Sequence, residues 1–370
     1  MHKKTLRAGA LVAALALSLG VAACGGDDNN DSSSSTSSTA KAGKVAVLLP
    51  DTKSSARWEG ADKPFLEQAF KAAGVDATIY NAQGDKSTQQ QQAEQAITNG
   101  AKVLLLTNLD SGSGAAIQAN AKSQGVKVID YDRLTLNGTG DYYVSFDNVA
   151  VGKLQGNGLV KCLEGASGTP NIAVLNGSPT DNNATLFAEG YNSVLDPKFK
   201  DGTFKKAADQ SVPDWDNQKA LTIFEQMLAK TNNDIQGVLA ANDGLGNAAI
   251  QALKARKLEQ LPVTGQDATP QGLQNILAGD QCMTVYKAVK KEADAAAAIA
   301  IALAQGKEPT TVNGKTNDGK RDVPSVLLTP EAITKENVDV PIKDNYVTYD
   351  EVCTGKYKQL CADAGIEPTS

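Results

Sequence analysis

The stretch KVLLLTNLDSGSGAAIQANAKSQGVKVIDYDRL (residues 102–134) has the pattern of a strand, a helix and a second strand. Residues 102–108 and 128–132 have the composition of buried strands, whereas residues 114–125 form an alanine-rich segment of helical length. Elements in this order form a βαβ unit, whose two strands lie parallel in one sheet. The first strand is apolar almost throughout, which is typical of a sheet covered on both faces.

The same alternation continues on both sides of this unit. Further strands are predicted at residues 44–50, 76–82, 171–177, 237–243, 261–267 and 282–287, with helices at about 63–73, 88–100 and 183–195. The pentapeptide AAIQA occurs at 115–119 and again at 248–252. When the two copies are aligned, Asp110 falls opposite Asp243 and, after a two-residue slip, Asp132 falls opposite Asp267. We therefore expect two similar doubly wound α/β lobes that arose by duplication, which also suits the chain length.

The amino terminus has the pattern of an export signal. Lys3, Lys4 and Arg7 precede an apolar run that is short for a membrane span and ends in VAAC (21–24), which resembles the bacterial lipobox. We expect a signal peptide at residues 1–23 and a lipid on Cys24, followed by a flexible linker to residue 43. The alternative is an ordinary secretory signal with a chance cysteine. Both predict an exported protein, and the lipid would hold it on the outer face of the cytoplasmic membrane, in the periplasm or at the cell surface.

Composition excludes several classes of function. The net charge is −6, the signal holds three of the basic residues, and no basic block suggests binding to nucleic acid. The only histidine, His2, lies in the signal, so Ser–His or Cys–His catalysis and His-ligated metals are excluded in the mature protein.

Four cysteines remain after Cys24: Cys162, Cys282, Cys353 and Cys361. Export favours disulfides, and the last two lie close enough in sequence to close a small loop. Four cysteines nevertheless permit three connectivities, and free buried thiols are the alternative.

Polar side chains and tryptophans lie at or near the ends of the predicted strands. Ligands of doubly wound sheets bind beyond the carboxyl ends of the strands, so two facing lobes would form a cleft there. Each side chain alone could belong to a turn, but together they predict one polar ligand. The candidates are Arg57, Trp58, Asp132, Arg133, Asp181, Asn183, Trp215, Asn242, Asp267 and Lys287.

This mixture of donors and acceptors suits a neutral polyol, because every sugar hydroxyl both donates and accepts. A phosphate would need excess positive charge or a glycine cradle at a helix end. Trp58 and Trp215 offer flat faces for a pyranose ring, and packing in the core is the alternative for each.

Two enzyme motifs compete with this interpretation. Residues 244–249 fit a dinucleotide fingerprint loosely, but they lie deep in the second half rather than in the first βα unit. A glycosidase could pair Asp132 with Asp267, but Arg133 and Lys287 nearby would lower their pKa values, whereas a general acid needs a raised pKa. We therefore expect a binding protein without catalytic residues, cofactor or metal.

The motifs RW, YDRL, SFDN, GSPTDNN, AAND, GQDA, MTVYK and DVPSVLLTP, in this order, resemble those of the D-xylose-binding proteins of bacterial ABC importers, in the ribose/galactose group of periplasmic binding proteins. The resemblance implies a type I fold whose lobes are joined by a three-stranded hinge near 146–149, after 287 and near 324–327. The lobes would comprise 44–147 with 288–325 and 148–287 with 326–350, and an alanine-rich helix at about 290–305 would return to the first. The tail, 351–370, has no counterpart in the resemblance.

By this resemblance, eight of the candidates would hydrogen-bond a monosaccharide and the two tryptophans would stack on it. The implied partners are an ABC permease and its ATPase, and the protein would act as a monomer. A sensor lipoprotein that signals to a membrane receptor and a carbohydrate-active enzyme are the alternatives. The sequence leaves open which sugar is bound.

Overall fold

The computed structural model describes residues 42–258 and 260–368. The predicted signal peptide, Cys24 and nearly all of the linker lie outside the described residues. Within them, no helix is both long enough and apolar enough to cross a membrane.

Twelve strands and twelve α-helices follow one another along the described part of the chain. The strands are β1 (Lys44–Leu49), β2 (Ala77–Asn81), β3 (Ala101–Leu106), β4 (Lys127–Tyr131), β5 (Tyr142–Phe146), β6 (Asn171–Asn176), β7 (Lys205–Ser211), β8 (Gly237–Ala240), β9 (Thr284–Tyr286), β10 (Gly314–Asn317), β11 (Asp322–Leu328) and β12 (Glu331–Ile333). The helices are α1 (Lys63–Ala72), α2 (Lys86–Thr98), α3 (Ser111–Ser123), α4 (Asn148–Cys162), α5 (Asn182–Lys200), α6 (Asn217–Lys230), α7 (Asp243–Ala255), α8 (Pro270–Ala278), α9 (Val289–Ala304), α10 (Val340–Lys343), α11 (Tyr349–Val352) and α12 (Tyr357–Asp363).

The first lobe is built on a seven-stranded sheet in the order β10-β11-β5-β4-β3-β1-β2. All neighbouring strands are parallel except β10 and β11. Side chains alternate between the faces, so Leu104 packs in the cluster with α2 and α3, whereas Leu105 packs in the cluster with α1 and α9. Helices therefore cover both faces, which explains why the strands are apolar throughout.

The second lobe holds a parallel sheet in the order β7-β6-β8 and the antiparallel pair β9–β12. The strand predicted at 261–267 is wrong as a full strand, because only one bridge forms there, between Val238 and Val263. Pro262 has no N–H to donate, and the backbone turns at Asp267 with a φ of 97°. The segment is therefore extended only briefly before it enters the cleft.

Close packing of α4 against α5 fixes the helix that carries Asn183 to the cleft. A side-chain carbon at Gly152 would lie 2.0 Å from the carbonyl oxygen of Phe187, and one at Gly190 would lie 2.2 Å from that of Val149. Both positions therefore require glycine for the two backbones to approach this closely.

Three chain crossings join the lobes: β5 to α4, β9 to α9, and β11 to β12. The first and third are linked directly, since the Asp147 N–H donates to the carbonyl of Leu328 at 2.9 Å. The third crossing lies after Leu328, three residues beyond the predicted boundary at 325. Val326 packs in the first lobe's core and Leu328 pairs with Phe146, so β11 must finish in the first sheet before the chain leaves it.

The carboxyl-terminal segment packs onto the second lobe as part of its core instead of forming a separate tail. Val352 and Ile366 lie in one apolar cluster with Leu273 of α8. The Gln274 amide donates to the carbonyls of Glu351 and Val352, at 3.0 and 3.1 Å. Apolar burial and these backbone contacts fix the segment against α8.

Two disulfides form in the second lobe. Cys353 bonds to Cys361 within the terminal segment, and Cys162 bonds to Cys282 across 120 residues of sequence. The longer link ties the end of α4 to the segment before β9. This is one of the three connectivities that the sequence permits.

Candidate functional site

The ten residues predicted from strand ends all line one cavity between the two lobes. The cavity, together with the space through which it opens to solvent, has a volume of about 310 Å³ and lies at the carboxyl ends of the parallel strands. Ser54, Ser55, Phe187 and Gln266 complete its wall. The structure thus brings the ten residues together, and their binding of a ligand stays a prediction.

Asp132 follows β4 in a left-handed backbone conformation, with a φ of 63°. Its Oδ2 accepts hydrogen bonds from Nη1 of Arg57 at 2.8 Å and Nζ of Lys287 at 3.2 Å, and its Oδ1 accepts one from Asn183 at 3.0 Å. Burial opposes ionisation, but Lys287, Arg57 and Arg133 outweigh it and hold the pKa of Asp132 well below its usual value. The site therefore contains a fixed carboxylate.

Asp267 occupies the corresponding turn of the second lobe. It too has positive φ, and its N–H donates to Val285 at 2.9 Å, as that of Asp132 donates to Val144 at 2.8 Å. Its Oδ2 accepts a hydrogen bond from Ser55 at 2.8 Å. The two aspartates aligned by the AAIQA repeat thus face one cavity from opposite lobes.

Arg57 lies behind Asp132 and is surrounded by carboxylates. Its Nε and Nη2 donate to Asp62 at 2.8 and 2.7 Å, and Nη2 also donates to Glu292 at 2.6 Å. The hydroxyl of Tyr131 donates to Asp62 at 2.6 Å. Most of the guanidinium is therefore used within the protein, so Arg57 serves mainly to hold Asp132 in place.

Glu292 on α9 is fully buried beside Arg57, and its Oε1 has no hydrogen-bond partner among the described residues. Burial raises the pKa of Glu292 to about 8. Arg57 and Lys287 oppose this rise, whereas Asp132 and Asp62 add to it. Glu292 is consequently the acid of this group that is most easily protonated.

Glu292→Gln is expected to flatten the dependence of stability on pH. The folded protein holds the Glu292 proton up to about pH 8, whereas the unfolded chain releases it near the ordinary glutamate pKa of about 4.5. The wild type should therefore lose unfolding free energy as pH rises between these values, by up to about 1.4 kcal/mol per pH unit. Denaturant unfolding from pH 5 to pH 8 measures this loss in both proteins. Equal slopes would show that Glu292 is already ionised at pH 5.

Arg133 and Asp181 join the lobes at the outer side of the cavity. Nε of Arg133 lies 3.1 Å from Oδ2 of Asp181, and the same oxygen accepts a hydrogen bond from the Trp215 indole at 3.0 Å. The ring of Trp215 meets that of Phe187 edge to face. A side-chain carbon at Gly177 would lie 2.0 Å from the indole, so glycine is needed there. These contacts fix an aromatic wall.

Trp58 contributes a second aromatic surface. Its ring lies 4.6 Å from the guanidinium carbon of Arg57 and 5.5 Å from that of Arg133, and its indole donates to Ser54 at 3.0 Å. The ring also belongs to the apolar cluster of the first lobe. Trp58 therefore both packs in the core and lines the cavity.

Asn242 caps α7 and reaches across the cleft. Its Oδ1 accepts from the N–H of Leu245 at 2.9 Å, while its Nδ2 donates to the carbonyl of Ser54 at 3.1 Å. Together with the pairs Ser55–Asp267, Asn183–Asp132 and Arg133–Asp181, this bond connects the lobes directly. The structure thus has the two lobes closed on each other.

The ten candidates leave out four residues of the wall. Ser54 and Ser55 lie in a polar loop without a periodic pattern, and Phe187 has the composition of any helical core residue. The position of Gln266 could have placed it in the site, since it directly precedes Asp267 at a predicted strand end. In the part of the chain that the structure describes, no group of His, Cys, Asp and Glu side chains is arranged to hold a metal.

A two-lobed α/β fold with a polar cleft at the strand ends defines a substrate-binding protein. Residues 45–308 match the periplasmic binding protein domain, and the chain belongs to this family. This confirms the predicted family and fold and supports a binding protein over an enzyme.

Three relatives illustrate the similarity. The chain is 38% identical to the D-xylose-binding periplasmic protein of Escherichia coli, covering 83% of this chain and 92% of that protein. It is 35% identical to the multiple sugar-binding periplasmic receptor ChvE of Rhizobium radiobacter, covering 85% and 93%. A carbohydrate transporter solute-binding protein from Chloroflexus aurantiacus, solved in complex with D-glucose, has a TM-score of 0.76 at 33% identity and covers 83% and 97%.

Proposed function

We propose that this protein captures a monosaccharide outside the cytoplasm and delivers it to an ABC permease. The first candidate for this sugar is D-xylose. A lipid on Cys24 would keep it on the outer face of the membrane, close to that permease. Binding and delivery need no bond to be made or broken, so neither a catalytic residue nor a cofactor is required.

The chemistry of the cavity wall carries this proposal. Asp132 and Asp267 offer carboxylate oxygens, Arg133 and Lys287 offer cationic donors, and Asn183 offers an amide. Such a wall matches hydroxyl groups, which donate and accept at once. Two indole rings add apolar surface for the C–H face of the sugar. The sugar ligands named for the relatives agree with this assignment.

Closure of the lobes provides the mechanism. Asp132 and Arg133 belong to the first lobe, whereas Asp181, Asn183 and Asp267 belong to the second, so the complete set of contacts exists only when the cleft is shut. A sugar can shift the balance between open and closed forms only through the contacts that it gains on closure. The permease would then distinguish loaded from empty protein by lobe geometry.

Isothermal titration calorimetry with D-xylose, D-glucose, D-ribose and L-arabinose tests the proposal. We expect at least one sugar to bind with a Kd below about 100 μM, which corresponds to roughly −5.5 kcal/mol. Binding of none of them at that level would refute the proposal. Product formation during long incubation would instead indicate an enzyme.

A sugar sensor that signals to a membrane receptor is the second candidate. The same cleft would serve it, because a receptor could also distinguish the closed form. Sugar uptake by cells that lack the cognate permease distinguishes the two roles. Uptake that depends on both this protein and the permease supports transport.

A further inference from the structure

We infer that Gln266, together with Oδ1 of Asp267, forms an acceptor pair that receives two neighbouring hydroxyl groups of the ligand. This inference rests on the proposed sugar binding. It narrows the ligands to monosaccharides that present two hydroxyl groups on adjacent carbons to Gln266 and Asp267. It adds Gln266 as a residue that determines specificity.

The first observation is that one oxygen of each side chain lacks a hydrogen-bond partner among the described residues. Gln266 is only 3% exposed and lines the cavity, and its Oε1 is buried without a hydrogen bond within the described residues. Oδ1 of Asp267 is likewise buried without a hydrogen bond, and Nζ of Lys287 is 3.7 Å away. Buried polar atoms are normally paired, since an unpaired one costs about 1–3 kcal/mol.

The other two aspartates of the cavity wall do not share this property. Both carboxylate oxygens of Asp132 accept hydrogen bonds, and so do both of Asp181. The remaining acceptors are therefore concentrated at one end of the cavity. A ligand that donates two hydrogen bonds there would satisfy Oε1 of Gln266 and Oδ1 of Asp267 at once.

Backbone geometry explains how two consecutive residues can face one cavity. In a regular strand, neighbouring side chains point to opposite faces. Here the Gln266 carbonyl accepts the N–H of Asp243 at 2.9 Å, and the Asp267 N–H donates to Val285 at 2.9 Å, so both peptides are fixed. The φ of 97° at Asp267 breaks the alternation and brings both side chains to the cleft. A conformation that is costly for a residue other than glycine is typical of binding sites.

The charge around the pair favours hydroxyl groups over an ammonium group. The cavity wall has no net negative charge to hold an ammonium group, because its three carboxylates (Asp132, Asp181 and Asp267) are balanced by three cationic side chains (Arg57, Arg133 and Lys287). Two acceptors on adjacent residues match hydroxyls on adjacent carbons. Deoxy sugars that lack one of these hydroxyls should therefore bind poorly.

The test combines Gln266→Met with the 2-, 3- and 4-deoxy analogues of D-xylose in calorimetric titrations. Methionine keeps the length of the side chain and removes its hydrogen-bonding atoms. We expect the variant to bind D-xylose about tenfold more weakly. The wild type should bind one of the deoxy analogues about tenfold more weakly than D-xylose. The variant should bind this same analogue and D-xylose with equal affinity. Unchanged discrimination against all three analogues would overturn the inference.

Stability without sugar provides a second measurement. Because Oε1 of Gln266 has no partner among the described residues, replacement of the amide by methionine should leave the denaturation midpoint unchanged or raise it. A clearly lower midpoint would assign the amide a structural role and contradict the inference. Gln271→Met, on the exposed face of α8, is the matched control and should leave sugar binding unaltered. If the wild type binds D-xylose but the variant is indistinguishable from it, the inference fails while the proposed function stands.

Discussion

Asp132→Asn is expected to lower the affinity for D-xylose by at least about 100-fold. An amide in place of the carboxylate cannot accept from Asn183, Arg57 and Lys287 together, and its NH₂ group would face donors. Hydrogen bonds to charged groups contribute about 1.5–3 kcal/mol each, so the loss of two bonds from sugar hydroxyls to this carboxylate would account for the effect. Calorimetric titration of both proteins measures it.

The fold should survive this change. Asparagine tolerates the left-handed conformation at position 132. Arg57 keeps Asp62 and Glu292, and Lys287 keeps Asp267 nearby. Asp76→Asn, which removes an exposed carboxylate at the start of β2, is the control and should bind as the wild type does. Wild-type affinity in Asp132→Asn would remove this residue from the proposed site.

Arg57→Leu should lower the unfolding free energy by about 3–5 kcal/mol, the usual cost of removing one partner from a buried ion pair. The side chains of Arg57, Asp62 and Glu292 are at most 1% exposed. Without the guanidinium, the buried carboxylate of Asp62 loses its cationic partner, Glu292 loses a hydrogen-bond donor, and Asp132 keeps Lys287 as an ion-pair partner. Glu292, whose pKa is raised to about 8, already holds its proton in most molecules at pH 7, so most of the cost falls on Asp62.

Urea unfolding at pH 7 measures this loss, and Arg256→Leu provides the control. Arg256 pairs with Glu225 at 3.7 Å, and both side chains are substantially exposed. Removing such a pair changes stability by about 0–1 kcal/mol. An equally small change in Arg57→Leu would mean that the buried network contributes little to folding.

The alternation of apolar runs and helical segments was sufficient to predict the fold, because covered parallel strands must be apolar on both faces. The prediction failed where the backbone departs from regular geometry. Residues 261–267 are apolar enough for a strand, but Pro262 and the turn at Asp267 leave only one bridge. The terminal segment has little periodicity, and only its packing on α8 shows that it belongs to the second lobe.

Sequence by itself determined the ten polar and aromatic positions that meet at the cleft, since parallel strands bring their carboxyl ends to one edge. Tertiary structure decided what each position does. The Arg57 guanidinium donates mainly to Asp62 and Glu292, whereas Oε1 of Gln266 has no hydrogen-bond partner within the described residues. Hydrogen bonding depends on distances of about 3 Å between residues far apart in the chain. Only the folded backbone, turned at Asp132 and Asp267, sets those distances.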